Sequence, residues 1–111
     1  MAEEEGLLER VRAAMSEVDD VVEKRMFGGV AFMVKGKMCM TVRPARIMCV
    51  IDPAMHEQLA KRKGAQKVVM RGKEFKGYLR VQKQALKNKE DLDYWVKIAI
   101  GYNRVKTGSK K

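Results

Sequence analysis

The pattern of apolar and polar positions changes its period along the chain, and each change predicts a new element. Near the N-terminus the apolar residues recur every three or four positions, which is typical of an amphipathic helix. They are Leu7, Val11, Ala14, Met15 and Val18. Beyond Asp19-Asp20 the apolar residues form short runs separated by glycine, proline or charged residues, which predicts strands. Four strands are expected, at residues 21–26, 30–34, 38–42 and 47–51.

The second half of the chain predicts a helix, two strands and a further helix. Asp52-Pro53 predicts a helix start, because an Asp side chain accepts from free N–H groups and proline fits the first turn. This helix is expected to run to about Lys63. Strands at 67–70 and 77–82 follow, joined by a basic loop at 71–76. The last helix begins after Asn88, and its buried stripe is Leu92, Trp95, Val96, Ala99 and Tyr102.

The order of these elements predicts an α+β fold. One helix is followed by three or four strands, a second helix, two strands and a third helix. Single strands do not alternate with helices, so a mainly antiparallel sheet with helices on one side is the expected architecture. At 111 residues the chain is long enough for one domain, expected at residues 1–105. Residues 106–111 are expected to form a disordered basic tail.

Charge is distributed unevenly along the chain, whose formal net charge is +10. Residues 1–23 carry eight acidic and two basic residues, a net −6, and residues 24–111 carry a net +16. A basic body attracts polyanions such as nucleic acid, although a solvated lysine-rich surface has the same composition. The best candidates for polyanion contact are Arg71, Lys73 and Lys76 in the basic loop. The neighbouring Tyr78 would stack on a base or pack within the sheet.

The third and fourth strands predict a sheet that is apolar on both faces. With a turn at Pro44-Ala45, Met40 faces Cys49, and Cys39 points to the opposite side, so both thiols are expected to be free. Unless a helix covers the second face, it remains an apolar patch in water, which is typical of partner surfaces. We therefore expect a homodimer. The expected interface residues are Met33, Cys39, Thr41, Met48 and Val50.

The chain offers few groups for catalysis, and no catalytic residue, metal site or cofactor is expected. His56 is the sole histidine, and no Cys/His cluster surrounds it in sequence. Gly28-Gly29 lacks the Gly-Lys-Ser/Thr continuation of a phosphate loop and is interpreted as a structural turn. No apolar stretch is long enough for a membrane span, and the N-terminus is acidic where a targeting peptide is basic. A cytoplasmic protein without a membrane partner is expected.

A set of short motifs resembles one known family. Met26-Phe27-Gly28-Gly29, Gly36-Lys37-Met38, Lys76-Gly77-Tyr78 and Trp95, in this order and spacing, are similar to the TfoX N-terminal domain family. The resemblance implies a compact α+β fold similar to secretion chaperones. It also implies structural roles for these motif residues, including packing for Tyr78.

The family resemblance leads to one functional hypothesis and one alternative. The namesake of the family regulates natural competence at promoters with the cAMP receptor protein and carries a second, helical domain. The resemblance covers only the first of these domains, so promoter control does not simply carry over. The leading hypothesis is a non-enzymatic protein-interaction domain, related to competence or transcription and acting as a homodimer. The alternative is a nucleic-acid-associated accessory protein that uses its basic surface.

Overall fold

The structure is a computed structural model that describes residues 2–26, 28–43 and 45–107, with the side chains of 2–5 and 26 left out. The helices are α1 (Ala2–Ala14), α2 (His56–Ala60) and α3 (Lys89–Thr107). The strands are β1 (Val21–Met26), β2 (Gly29–Val34), β3 (Lys37–Arg43), β4 (Arg46–Val50), β5 (Ala65–Met70) and β6 (Lys73–Gln82). Short 3-10 turns at Pro53–Met55 and Lys83–Leu86 precede α2 and α3.

The six strands form one antiparallel sheet in the order β1-β2-β3-β4-β6-β5. All three helices contribute to a single apolar core on one side of it, through Leu7, Leu59 and Trp95 among others. The sheet supplies alternate residues of its central strands to the same core. They are Val30, Phe32, Met40, Val42, Ile47, Cys49, Leu79 and Val81. The predicted α+β class and order of elements are confirmed.

Local signals explain where several elements begin. The Asp52 carboxylate accepts from the Ala54 N–H at 2.9 Å, so the predicted start after Asp52 is confirmed, although its first turn is 3-10 and α2 ends at Ala60. Lys35 and Gly36 both have positive φ, at 54° and 81°, and form the two-residue turn between β2 and β3. Such a turn matches the right-handed twist of the strands that it joins.

The basic loop predicted at residues 71–76 is wrong. A second two-residue turn of positive φ, at Arg71-Gly72, joins β5 directly to β6, which begins at Lys73. The chain then kinks at Gly77, whose φ is 93° and whose pairing region is irregular. Sequence reasoning placed the strand start after this kink, because glycine and lysine are poor strand formers.

The expectation that Cys39 and Cys49 lie on opposite sides of the sheet is also wrong. The predicted pairing of Met40 with Cys49 is present, but a β-bulge interrupts the β2–β3 pair. Phe32 faces Met40 and the next residue, Met33, faces Met38, so Cys39 is the extra residue. A bulge of this kind puts two consecutive side chains on the same side. Cys39 accordingly lies with Met40 and Cys49 in the core, and both cysteines are buried free thiols.

The C-terminal helix extends beyond its expected end. Lys106 and Thr107, assigned from sequence to a tail, belong to α3, and residues 108–111 lie outside the described part of the chain. The amide of Asn103 donates to the Val34 carbonyl at 3.2 Å and so links α3 to β2. None of the described helices is long and apolar enough to cross a membrane.

Candidate functional site: the open face of the sheet

The side of the sheet that faces away from the core is here called the open face. The strand register places Met33 opposite Met38, Thr41 opposite Met48, and Met48 opposite Arg80. These residues alternate with the core residues along the same strands, so they point to the other side. They are all half-buried rather than buried. No helix among the described residues packs its apolar stripe there, because all three contribute to the core on the other side.

A groove of about 310 Å³ crosses the open face. Its lining combines methionines with arginines, and none of the described lining residues is acidic. The lining residues are Gly29, Met38, Thr41, Arg43, Arg46, Met48, Met70 and Arg80. Unbranched methionine side chains adapt to partners of different shape, and arginines offer planar donor groups to carboxylates or phosphates. The groove therefore has the chemistry of a binding surface for a ligand that is both apolar and anionic.

Three arginines, here called the arginine cluster, line this groove. Arg43 and Arg46 are direct partners in the β3–β4 pair. Arg46 faces Gln82 in the β4–β6 pair, which makes Arg80 its diagonal neighbour on the same side. Like charges directly opposite one another destabilise a sheet. Burial lowers the pKa of Arg46, and the positive charges of Arg80 and Arg43 lower it further.

Two members of the arginine cluster, Arg46 and Arg80, form no ion pair with a carboxylate in the described part of the chain. Each is nevertheless half-buried, so water screens its charge less than at a fully exposed position. Residues whose placement destabilises the folded protein, with no evident compensating interaction, are expected mainly at functional positions.

The predicted interface residues do not all contribute accessible surface. Met33, Thr41 and Met48 lie half-buried on the open face. Val50 faces the same side but is only 5% exposed, so it offers almost nothing to a partner. Cys39 belongs to the core because of the bulge, and Met38 takes its place on the open face. Burial raises the pKa of the Cys39 thiol to about 12.

The predicted polyanion contacts all lie on the β5–β6 hairpin and are exposed. Arg71 is in the turn, and Lys73 begins β6 opposite Met70 of the groove. Lys76 Nζ lies 4.0 Å from the Glu57 carboxylate, which partly offsets its charge. None of the three residues lines the groove itself.

His56 is completely buried and links α2 to the kink in β6. Its Nδ1 accepts a hydrogen bond from the Gly77 N–H at 3.1 Å, and its Nε2 lies 2.9 Å from a Glu74 carboxylate oxygen. Because Nδ1 accepts, the ring is neutral and its proton is on Nε2, which donates to Glu74. Lys67 approaches Glu74 at 3.6 Å and Glu57 at 2.8 Å.

The ligand atoms of His56, Glu57 and Glu74 lie within 4.8 Å of one another, which raises the question of a metal site. A neutral imidazole has one nitrogen lone pair, and here it accepts from the Gly77 N–H. Binding a cation at Nε2 would move the ring proton to Nδ1, where it would face that N–H. The geometry therefore favours a structural network that holds the hairpin against α2.

The glycines of the sequence motifs have structural roles. Gly28, Gly36 and Gly77 adopt positive φ, which residues with a Cβ rarely adopt. A Cβ on Gly29 would come within 2.4 Å of the Val42 carbonyl oxygen.

The other motif residues are distributed over the sheet and the core. Met26 ends β1, Lys37 begins β3, and Tyr78 lies half-buried on β6. Trp95 is buried in the core, where its ring meets that of Tyr94 edge-on at 5.7 Å. Phe27 lies outside the described residues. Where they are described, these residues build the domain rather than line the groove, with Gly29 and Met38 as the exceptions.

Comparison with protein families agrees with this architecture. The model of the TfoX N-terminal domain matches residues 13–102 of the 111-residue chain. The chain belongs to the TfoX N-terminal domain family. No curated protein and no solved structure matches it. The TfoX N-terminal domain is not a known enzyme family.

Sequence reasoning missed the arginine cluster of this TfoX N-terminal domain. One signal was present, because Arg43 and Arg46 continue the alternation that starts at Thr41 and Met48. Arg80 could not be assigned to the same place, since its position depends on the pairing of β4 with β6 across the 22 residues that separate the two strands, more than any local pattern specifies.

Proposed function

We propose that this TfoX N-terminal domain is a non-enzymatic protein-interaction domain of competence-related regulation, and that the open face is its docking surface. The observation that carries the proposal is a sheet face left free by the helices and lined by methionines beside the arginine cluster. Exposed apolar surface next to charged donors is typical of association surfaces.

Self-association would use the end of the open face that is remote from the arginines. Val22 of β1 faces Met33, which faces Met38, and these three residues are here called the methionine end. Val22 is 53% exposed. A two-fold axis at this end would bury the apolar residues of both copies without bringing two arginine clusters together. Charged residues at the centre of edge strand β1 (Glu23, Lys24 and Arg25) disfavour pairing through the edge instead.

Light scattering of the purified chain tests this assembly. A homodimer has twice the 12.7 kDa mass of the chain at micromolar concentration. Val22→Lys is expected to shift the equilibrium to the monomer, because it would place a charge in the interface of each copy. Val105→Lys is the matched control, since Val105 is 74% exposed on α3 and the chemical change is the same.

If the unmodified chain and both variants were all monomers, self-association through this face would be overturned. A dimer unaffected by Val22→Lys would place the interface elsewhere. A dimer lost in Val22→Lys and kept in Val105→Lys would support the proposal.

Nucleic-acid binding remains the second candidate, favoured by the exposed Arg71, Lys73 and Lys76 on one hairpin. Binding of this kind weakens steeply as salt rises, because phosphate contacts release counterions. Replacing the three residues by alanine would reduce the salt dependence if they contact phosphates. No retention on DNA or RNA near physiological salt would overturn this candidate.

A further inference from the structure

We infer that the arginine cluster and the adjoining groove bind an acidic peptide segment of a partner protein, one in which carboxylates flank an apolar side chain. The inference rests on the proposed function and specifies the chemistry of the partner. It concerns Arg43, at the opposite end of β3 from Met38, and its neighbours Arg46 on β4 and Arg80 on β6.

The charge of the cluster calls for an anionic ligand. Three guanidinium groups on three neighbouring strands face one groove, and none of the described residues that line it is acidic. A carboxylate placed between Arg46 and Arg80 would replace their repulsion by charge-assisted hydrogen bonds, which arginine forms in bidentate geometry. Its binding would remove an unfavourable interaction as well as add a favourable one.

The rest of the groove calls for an apolar group beside that anion. Met48 and Met70 line it together with the arginines, outside the methionine end, and Met70 is 49% exposed. A side chain such as leucine would bury this methionine surface while a neighbouring carboxylate reached the guanidinium groups. The groove volume of about 310 Å³ lies at the small end of the range for ligand sites and is suited to a few side chains.

A peptide fits these groups better than nucleic acid does. Binding of single strands relies on aromatic side chains that stack on the bases, whereas the described residues of the groove lining are methionines, arginines, Thr41 and Gly29. Methionine-rich surfaces instead suit peptides, because flexible thioethers repack around different apolar side chains. The methionines thus separate the two kinds of anionic partner.

Fluorescence anisotropy with defined probes tests the inference on the intact chain. The first probe is a labelled peptide in which leucines are flanked by glutamates. The second has glutamine at each glutamate position, the third has serine at each leucine position, and the fourth is a single-stranded oligonucleotide of equal charge. We expect the first peptide to bind most tightly, and its affinity to fall with added salt.

Arg46→Gln is the decisive variant and Arg104→Gln its matched control. Both remove one guanidinium charge, but Arg104 is exposed on α3, away from the groove. Loss of one charge-assisted hydrogen bond is expected to weaken binding of the first peptide at least about tenfold. Arg104→Gln is expected to leave it within about twofold, because a distant exposed charge is screened. Thermal unfolding of both variants reports whether the fold is retained.

Each outcome decides the question. Equal binding of the glutamine peptide, or equal loss in the two variants, would overturn the role of the arginine cluster. Equal binding of the serine peptide would overturn the role of the methionine surface, and tightest binding of the oligonucleotide would overturn the peptide assignment. No binding of any probe would overturn the inference, while light scattering of Val22→Lys would still report separately on the proposed function.

Discussion

The two faces of the sheet are built from the same strands but differ in how deeply their side chains are buried. On the covered face, Phe32, Met40 and Ile47 are at most 1% exposed beneath three helices. On the open face, Thr41 and Met48 follow Met40 and Ile47 along the same strands and remain half-buried. The comparison shows that an apolar strand pattern does not by itself determine burial. The helices together form one apolar layer, which is enough for only one side of the sheet.

The largest expected difference between the faces is in the free energy of unfolding. Met40→Ala on the covered face would leave a cavity among packed side chains and is expected to cost about 2–5 kcal/mol. Met48→Ala makes the same chemical change on the neighbouring strand, but on the open face, and is expected to cost under about 1 kcal/mol. Urea denaturation of both variants measures the difference. Equal losses would mean that the open face is packed in solution.

Replacing His56 tests the contribution of a polar contact on the covered side of the sheet. His56→Ala would leave the Gly77 N–H without its acceptor and Glu74 without its donor, at an expected cost of about 2–3 kcal/mol. Met55→Ala changes the neighbouring residue, which is 38% exposed, and is expected to cost under about 1 kcal/mol. Chemical denaturation compares the two variants. A cost for His56→Ala no greater than that of the control would contradict the structural network.

The buried thiols make the covered face sensitive to alkaline pH. Burial raises the pKa of Cys39 from its ordinary value of 9.0 to about 12, and it also raises the pKa of Cys49. A raised pKa in the folded state stabilises the protein below pH 9, and this contribution is lost as pH rises from 9 toward 12. Each thiol contributes a slope of at most about 1.4 kcal/mol per pH unit in this window.

Urea midpoints measured between pH 8 and pH 11 test this dependence. The double variant Cys39→Ala, Cys49→Ala is expected to lose stability less steeply with pH than the unmodified chain. The two proteins share every other ionisable group, so the difference between the two slopes isolates the thiols. Parallel slopes would show that the thiols are accessible to water.

The smallest change in the free energy of unfolding is expected on the open face, and it is an increase in stability rather than a loss. Arg46→Gln removes one charge from the arginine cluster and is expected to stabilise the free protein by about 0.5 kcal/mol at low salt. The gain should shrink as salt screens the repulsion. Thermal unfolding at two salt concentrations, with Arg104→Gln as the control, measures it. A loss of stability in Arg46→Gln would show that this arginine has a favourable partner within the chain.

Much of the fold could be predicted from the sequence, because its signals are local. The Asp52-Pro53 helix start, the turn at Lys35-Gly36 and the pairing of Met40 with Cys49 each depend on a few neighbouring residues. The errors occurred where an irregularity changes the alternation. The bulge at Cys39 moved one predicted interface residue into the core, and the kink at Gly77 hid the first half of β6.

The sequence by itself determined the elements, their order and the family, since periodicity, turn residues and motif spacing are properties of short segments. It also indicated that both faces of the sheet are apolar. Only the tertiary structure decided which face the helices cover, because that depends on where three separate apolar stripes meet the sheet. It also brought Arg80 beside Arg43 and Arg46, because strand order joins residues that are distant along the chain.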